Sequence, residues 1–380
     1  MKIELHLIQN FAPSCLNRDE NNMPKDCEFG GVRRARISSQ CFKRAVRRFW
    51  EDRTDIPRGF RTKRIKGEIV KAIEALKPGQ DESTVSAIAD LFINAYYAGT
   101  DSKKADQTNV LLYIGQTEVD EAAACIVEIW DELETHVREN KDKGAKAKPL
   151  TPDKSIQKRL QNVTVSADIA LFGRMLAENA GMNTDGSCQV AHAISTHKVD
   201  MGMDFYTAVD DLKDKAEEDA GAGMMGVTGF NSACFYRYAC IDRDDLARNL
   251  GGDMELTDRV IRAFLEAFVL ARPTARQNSM TAHNPPSFGL AVVRKEGVPI
   301  SLANAFVKPV QPGCDPDLVG ASIKALGSYY RNMIGFYGDE GIVGAESFSL
   351  ESDGSLESVG TQSSSMSAWL DAVMNDVKEG

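Results

Sequence analysis

Basic residues cluster between residues 11 and 50, and their types and spacing suit the binding of a polyanion. Arg33, Arg34 and Arg36 lie just before a predicted helix that begins near Ser39. A serine at a helix start caps free backbone N–H groups, and the positive end of the helix dipole attracts phosphate at the same place. The stretch therefore predicts contact with nucleic-acid phosphates, while the alternative is a solvated basic surface without a ligand.

The predicted helix has one apolar face and one basic face. The residues of the apolar face recur at helical spacing: Phe42, Val46, Phe49 and Trp50. The basic face carries Lys43, Arg44, Arg47 and Arg48. A helix with this pattern can bury one side in a protein core and turn the other side toward phosphates.

Catalysis is not expected from this sequence. General acid–base chemistry would have to come from Asp19, Asp26 or His283, and none of them has a suggestive partner in the sequence. The common nucleotide-binding, zinc-protease and serine-hydrolase motifs do not occur. A nuclease that uses Asp26 beside the basic loop stays open as an alternative.

Metal or cofactor binding is not expected either. Cys188, His192 and His197 are the nearest approach to a zinc site. Two histidines five residues apart do not share a helix face, and no cysteine pair lies nearby. The acidic residues between 210 and 219 could hold Mg²⁺, but the pattern favours a solvent-facing surface.

The charge is unevenly distributed along an acidic chain. The formal net charge is −10, yet residues 1–80 contain 18 Lys and Arg against 10 Asp and Glu, and the remaining residues contain 27 against 45. This distribution is typical of a protein that binds nucleic acid on one surface. Eight cysteines form no C-x-x-C pair, and no signal peptide or membrane-spanning run is recognisable, so we expect a cytoplasmic protein without a membrane partner.

Hydrophobic periodicity predicts the elements that must position these residues. Strands are predicted at residues 2–9 (half-buried), 163–171, 232–241, 287–294 and 299–306. Helices are predicted near residues 65–76, 85–95, 119–137, 256–271 and 317–337 and at the C-terminus through Trp369. The pattern indicates an α+β fold with a ferredoxin-like antiparallel sheet, interrupted over residues 61–140 by an all-helical insertion.

Two further stretches predict projecting segments. The lysine-rich run at residues 138–149 is too polar to pack, so it forms a solvated linker or a mobile arm that reaches a phosphate backbone. Residues 199–230 are rich in glycine toward their end, which predicts a projecting hairpin. At its root Phe205 and Tyr206 either stack on bases or belong to the core.

Several segments together resemble the CasC family, the repeated backbone subunits of type I-E CRISPR Cascade complexes. They are PSCLNRDENNMPKDCEFGGVRRARISSQCFKRAVRR (13–48), GRM (173–175), VAHAISTHKVD (190–200), FYTAVDDL (205–212), FYRYACI (235–241) and LANAF (302–306). The resemblance implies a hand-like molecule with an RRM-like palm, helical fingers and a protruding thumb hairpin. The implied boundaries are palm 1–60, 161–198 and 232–350, fingers 61–160, thumb 199–231 and C-terminal tail with a short helix 351–380.

The resemblance also implies roles for individual residues. Contacts with guide RNA are implied for Arg18, Lys25, Ser38, Gln40, Lys43, Arg44, Arg47 and Met175, and the basic loop adds Arg34 and Arg36 to the predicted set. Displacement of a base by the thumb is implied for Phe205, Tyr206 and Thr207. Contact with target DNA is implied for Lys141, Lys143, Lys146 and Lys148. Two departures are Val32, where the family can carry lysine, and Phe205-Tyr206, which replaces a Trp-Phe pair.

The expected function is a non-catalytic subunit that oligomerises along CRISPR RNA and presents it to target DNA in antiviral defence. The expected partners are CRISPR RNA, target DNA, further copies of the chain, other Cascade subunits and a recruited or attached nuclease, without a cofactor or metal. Two alternatives stay open: an RNA-guided endoribonuclease that uses Asp26, and a stand-alone RNA-binding protein.

Overall fold

A computed structural model describes residues 1–53, 55–101, 104–140, 148–176, 179–208, 224–311, 317–351 and 359–380. The chain divides into two compact units. The first unit comprises residues 1–51, 189–242 and 261–380, and the second comprises residues 52–188 and 243–260. The second unit is larger than the predicted fingers (61–160), because it also includes residues 52–60, 161–188 and 243–260.

One large, mostly antiparallel sheet dominates the first unit. The strands in chain order are β1 (Lys2–Ser14), β2 (Asp26–Phe29), β3 (Val32–Ile37), β4 (Gly59–Thr62), β5 (Thr100–Asp101), β6 (Lys104–Thr108), β7 (Leu112–Gly115), β8 (Cys188–Val190), β9 (Ala193–Ser195), β10 (Gly202–Ala208), β11 (Met224–Asp242), β12 (Phe288–Arg294), β13 (Ile342–Ser349) and β14 (Thr361–Gln362). Ten described strands join the sheet in the order β14-β13-β12-β1-β11-β9-β3-β2, with β10 and β8 also paired to β11. The predicted mixed α+β class is confirmed.

Helices cover the sheet and build most of the second unit. They are α1 (Ser39–Phe49), α2 (Ile65–Leu76), α3 (Glu82–Tyr96), α4 (Gln116–Glu128), α5 (Trp130–Asn140), α6 (Lys154–Gln161), α7 (Ala167–Phe172), α8 (Arg243–Asn249), α9 (Met254–Leu270), α10 (Gln277–Met280), α11 (Leu318–Tyr337) and α12 (Met366–Glu379). No helix among the described residues is both long and apolar enough to cross a membrane.

Four details of the predicted elements are wrong. Residues 163–171 form no strand; the described structure has α7 there. The predicted helix at 119–137 is two helices that meet at Ile129, and the strand predicted at 299–306 is replaced by a short 3₁₀ turn at Ala303–Phe306. The insertion is not all-helical, because β4 pairs with β7 and β5 pairs with β6 inside it.

Strand β1 lies at the centre of the sheet, paired with β11 on one side and β12 on the other. Its polar face was predicted to be exposed, but Glu4 and His6 are buried. Glu4 accepts a hydrogen bond from Arg294 at 2.5 Å and another from the Ile300 N–H at 2.6 Å. Burial is possible on both faces because these polar groups have partners inside the protein.

The second unit has its own core. The apolar faces of its helices meet there, and the buried residues include Ile69, Phe92, Ile126 and Trp130. A buried ion pair joins Arg174 to Glu118 at 2.6 Å, and the same glutamate caps the start of α4 by accepting from the Gly115 N–H. Most of the apolar periodicity in residues 61–140 therefore serves packing.

Candidate nucleic-acid interface

The basic segment starts with a β-hairpin rather than the predicted loop. β2 and β3 pair antiparallel across Gly30 and Gly31, whose φ angles are +63° and +74°. Left-handed backbone at both central positions of a two-residue turn requires glycine-like residues. A Cβ atom on Gly30 would lie 1.8 Å from the Val307 carbonyl oxygen, so this turn packs tightly against its neighbour.

The predicted basic helix is α1, and Ser38 is its N-cap. The Ser38 hydroxyl accepts a hydrogen bond from the Cys41 N–H at 3.4 Å. Phe42 and Val46 are buried as predicted, and the Trp50 indole Nε1–H donates to the Ala263 carbonyl at 3.2 Å. The helix is thus held by its apolar face and by the residue at its C-terminal end, which leaves the basic face outward.

An arginine-lined cleft of about 450 Å³ lies beside α1. Arg18, Arg44 and Arg48 contribute cations to it, and all three are exposed. The rest of the lining is mixed: it includes the neutral polar residues Asn17, Asn22 and Thr274, the acidic Asp19 and several apolar side chains. Arg18 donates to the Asn22 side-chain oxygen at 3.0 Å, which orients its guanidinium. Arginine guanidinium groups match the geometry of phosphate oxygens, so these three side chains are of a type that suits phosphate binding.

Arg48 was not in the predicted guide-binding set, although it belongs to the basic face of the helix. It forms an ion pair of 3.4 Å with Glu51, and both side chains are about half exposed. Such a surface pair contributes little to stability. The helical spacing of Arg44 and Arg48 was the signal that could have identified this residue.

The other predicted contacts of this segment are not among the residues that line the cleft. Gln40 is exposed, and Lys25, Lys43 and Arg47 are partly exposed. Arg36 is also partly exposed and donates to the Asp26 carbonyl at 3.1 Å and to Nδ1 of His192 at 2.9 Å. Because arginine cannot accept, Nδ1 of His192 is the acceptor; burial and the charge of Arg36 lower the pKa of that histidine.

Arg34 is buried, although it was predicted to contact guide RNA. Its side chain is 0% exposed, and it donates to the carbonyls of Phe29, Ser195 and Phe306 at 3.1, 3.0 and 2.7 Å. A guanidinium without exposed surface and with its donors on carbonyl groups cannot reach a phosphate. The prediction of a guide contact is therefore wrong for Arg34, which instead joins the β2–β3 hairpin to two other segments of the first unit.

The candidate acid–base residues have local partners. Asp26 forms an ion pair with Arg33, and both side chains are partly exposed. Asp19 accepts hydrogen bonds from the N–H groups of Asn21 and Met23 at 2.9 and 2.8 Å, which shapes the loop before β2. These contacts give both aspartates a structural part in the loop and hairpin that present the cleft.

The residues considered for zinc do not form a cluster. Nε2 of His197 accepts from the Cys234 N–H at 3.2 Å, so its Nδ1 carries the proton and donates to the Lys198 carbonyl at 2.7 Å. His197 is therefore neutral, and burial lowers its pKa. Within the described residues no three His, Cys, Asp or Glu side chains come together as a possible metal site.

The predicted projecting hairpin has two described strands, β10 and β11, and the residues between 208 and 224 lie outside the described ranges. Phe205 and Tyr206 are 62% and 40% exposed, so they do not belong to the core. Phe205 shares one face with the exposed apolar residues Met203, Met225 and Val227. Exposed Thr207 lies on that same face.

The opposite face of the hairpin lines a cleft of about 750 Å³ with Tyr206, Phe230, Arg276 and Met280. The Tyr206 ring lies over Gly226, where a Cβ atom would come within 2.4 Å of it. Only glycine permits this approach of ring to backbone. Tyr206 is therefore partly held by its own hairpin, whereas Phe205 is exposed on the other face of the hairpin.

The remaining predicted residues lie in the second unit or outside the described ranges. Met175 is 84% exposed. Both of its neighbours in the chain make contacts inside the protein: Arg174 pairs with Glu118, and the Leu176 N–H donates to Asn183 Oδ1 at 2.6 Å. Lys148 is exposed, and its N–H donates to Asn140 Oδ1 at 3.1 Å. Lys141, Lys143 and Lys146 lie outside the described residues.

Comparison with known proteins identifies relatives over nearly the whole chain. The model of a family described as CT1975-like protein matches residues 3–375. A chain of a solved "CRISPR RNA-guided surveillance complex, pre-nicking" is 31% identical, with 99% of each chain covered and a TM-score of 0.84. A chain of another "CRISPR RNA-guided surveillance complex" is 27% identical over 99% of each chain, with a TM-score of 0.75. No curated protein matches the sequence.

Proposed function

This chain belongs to the CT1975-like protein family, and on that premise we propose that it is a non-catalytic backbone subunit of a CRISPR RNA-guided surveillance complex. Several copies bind along one CRISPR RNA and present its bases for pairing with target DNA. The other partners are further subunits of the complex and a nuclease that acts on the bound target.

The observation that carries this proposal is the arginine-lined cleft beside α1. Arg18, Arg44 and Arg48 bring three cations to one side of a chain whose net charge is −10. Contacts of this kind hold a nucleic-acid backbone without reading its sequence. Sequence recognition is then left to base pairing between the RNA and its target.

The finer assignments in this proposal come from the resemblance to the CasC family. They are a type I-E complex, an RRM-like palm made of the large sheet, and a thumb made of β10 and β11. In this arrangement Phe205 stacks on a base, Met175 lies beside guide bases, and the lysines of residues 141–148 contact target DNA. The exposed apolar face of the hairpin and the exposure of Met175 support such contacts.

The direct test is a charge reversal in the cleft. The chain with Arg44→Glu and Arg48→Glu is produced with the other subunits of its complex and a guide RNA, and the RNA that co-purifies is measured. We expect loss of at least nine-tenths of the retained RNA. The control reverses Lys324 and Arg331, two exposed cations on α11, and retains RNA at the wild-type level.

The outcomes separate this function from its rivals. Normal RNA retention by the cleft variant contradicts the proposal. Heterogeneous RNA bound to single wild-type chains favours a stand-alone RNA-binding protein. Regularly spaced cuts in a complementary RNA with Mg²⁺, lost on Asp26→Ala, favour the endoribonuclease instead.

A further inference from the structure

Arg237 is a buried arginine in β11 whose hydrogen bonds go only to neutral groups. Its side chain is 1% exposed. Nη1 donates to Gln9 Oε1 and Nη2 donates to the Phe268 carbonyl, both at 2.5 Å. Nε has no hydrogen-bond partner among the described residues.

The guanidinium lies between two aromatic rings, one of which belongs to α1. Its central carbon is 4.0 Å from the ring centroid of Phe42 and 4.4 Å from that of Phe268. Phe42 is on the buried face of α1, and Arg44 and Arg48 are on its outer side. Because an α-helix is about 10 Å across, Arg237 lies roughly one helix width beneath the cleft.

Two other buried arginines have carboxylate partners, whereas Arg34, like Arg237, donates only to neutral groups in the described structure. Arg294 pairs with Glu4 at 2.5 Å, and Arg174 pairs with Glu118 at 2.6 Å. Among the described contacts Arg237 has no such partner, and burial lowers its pKa to about 9. A buried cation without a counter-charge destabilises a fold unless a negative charge comes close.

We propose that Arg237 is a positioning residue of the nucleic-acid interface, whose unpaired charge is compensated by the phosphate backbone bound on the outer side of α1. It holds α1 in place through Phe42, and it adds a positive charge beneath the cleft in a medium that screens poorly. The inference rests on the proposed function, since it requires that the cleft binds RNA.

The test compares two variants: one removes the buried charge beneath α1, and the other removes an exposed charge that lines the cleft. Arg237→Met keeps a long apolar side chain between the rings, and Arg44→Gln removes a cation of the cleft. The affinity of the full chain for a fluorescently labelled single-stranded oligouridylate is measured over a range of salt concentrations, and thermal midpoints are measured with and without that RNA.

For Arg237→Met we expect an unchanged or higher thermal midpoint without RNA, about fivefold weaker RNA binding, and a smaller thermal shift on adding RNA. The slope of log affinity against log salt stays at the wild-type value, because no phosphate contact is lost. For Arg44→Gln the slope becomes shallower, by the amount expected when about one phosphate contact is lost. A merely structural residue would lower the midpoint without this pattern.

Wild-type affinity and thermal shift in Arg237→Met overturn the inference and leave the proposed function intact. Absence of RNA binding by the wild-type chain, with no effect of Arg44→Gln, overturns the proposed function itself. If Arg237→Met does not fold, Phe42→Leu replaces it: a loss of RNA affinity at constant salt slope supports the inference, and unchanged affinity contradicts it.

Discussion

At the scale of single residues, buried polar side chains in the first unit are placed by contacts that no local pattern reveals. The Tyr236 hydroxyl accepts from the Leu302 N–H and lies 2.9 Å from Nδ1 of His6. Burial lowers the pKa of His6 to about 3. The hydroxyl therefore shares a hydrogen bond with a neutral imidazole, which links β1 to β11 and to the segment that follows β12.

The pH dependence of stability follows from His6. In the unfolded chain its pKa is about 6.5, so below that pH the unfolded state binds a proton that the folded state excludes until about pH 3. Stability is complete above pH 6.5 and falls by about 1.4 kcal/mol per pH unit below it. The difference in unfolding free energy between wild type and His6→Gln should shrink by about 2 kcal/mol from pH 7 to pH 5 in urea titrations.

A difference that stays constant over this pH range would show that folding does not lower the pKa of His6. The carboxylates are the same in both chains, so the comparison isolates the contribution of the His6 imidazole to the pH dependence of stability.

Residue types and spacing predicted the exposed cations of α1 well, because amphipathic periodicity reports which side of a helix is buried. They could not predict the place of Arg34. Its carbonyl partners, Phe29, Ser195 and Phe306, are brought together only by the sheet and the following turn. A buried arginine and a phosphate-binding arginine look alike in a sequence.

At the scale of elements, the β2–β3 turn shows two different demands for glycine. Gly31→Ala meets open space and should destabilise by about 1 kcal/mol through its left-handed backbone alone. Gly30→Ala adds a clash with the Val307 carbonyl and should cost at least about 2 kcal/mol more. Urea titrations of both variants measure the difference, and equal costs would mean that the turn does not pack against Val307.

The buried ion pair of the second unit gives another prediction for an element. Glu118→Gln leaves Arg174 without its carboxylate partner and should cost about 3–5 kcal/mol of stability. The matched control is Glu134→Gln, which removes an exposed pair with Arg138 and should cost less than about 1 kcal/mol. Similar losses in thermal or urea unfolding would contradict the buried geometry.

Sequence patterns failed for elements whose conformation depends on distant partners. Residues 163–171 alternate like a strand, yet α7 forms there because buried Asp168 accepts from the Gly59 N–H at 2.7 Å and from Ser166 Oγ at 3.0 Å. The glycine pair before β3 was a recognisable hairpin signal. Longer helices such as α2, α9 and α11 were predicted well because each presents several turns of apolar periodicity.

At the scale of the whole molecule, the polarised charge predicted nucleic-acid binding, and the α+β class followed from the order of elements. The division into two units could not be predicted from the order of elements, because residues 243–260 join the second unit through contacts with residues remote in the sequence. Asn249, for example, donates its side-chain amide to the Ala170 carbonyl at 3.0 Å. Apolar patterning reports that a segment is buried, but it does not say in which core.

The salt dependence of RNA binding is a property of the whole charge distribution. If three arginines of the cleft contact phosphates, the slope of log affinity against log salt should be about −2 or steeper for single-stranded RNA. Fluorescence titrations of the full chain at several salt concentrations measure it. A slope near zero would mean that few phosphates are contacted, despite the three cations of the cleft.

Strand β11 also has a mechanical consequence. Its 19 residues run without interruption from Met224 in the projecting hairpin to Asp242, where it pairs with the first residues of β1. A pulling force at the outer end of the hairpin is transmitted along the continuous backbone of β11. It acts parallel to the paired strands β1 and β11, so many of their hydrogen bonds resist it together. The hairpin therefore behaves as a stiff lever built into the sheet rather than as a hinged flap.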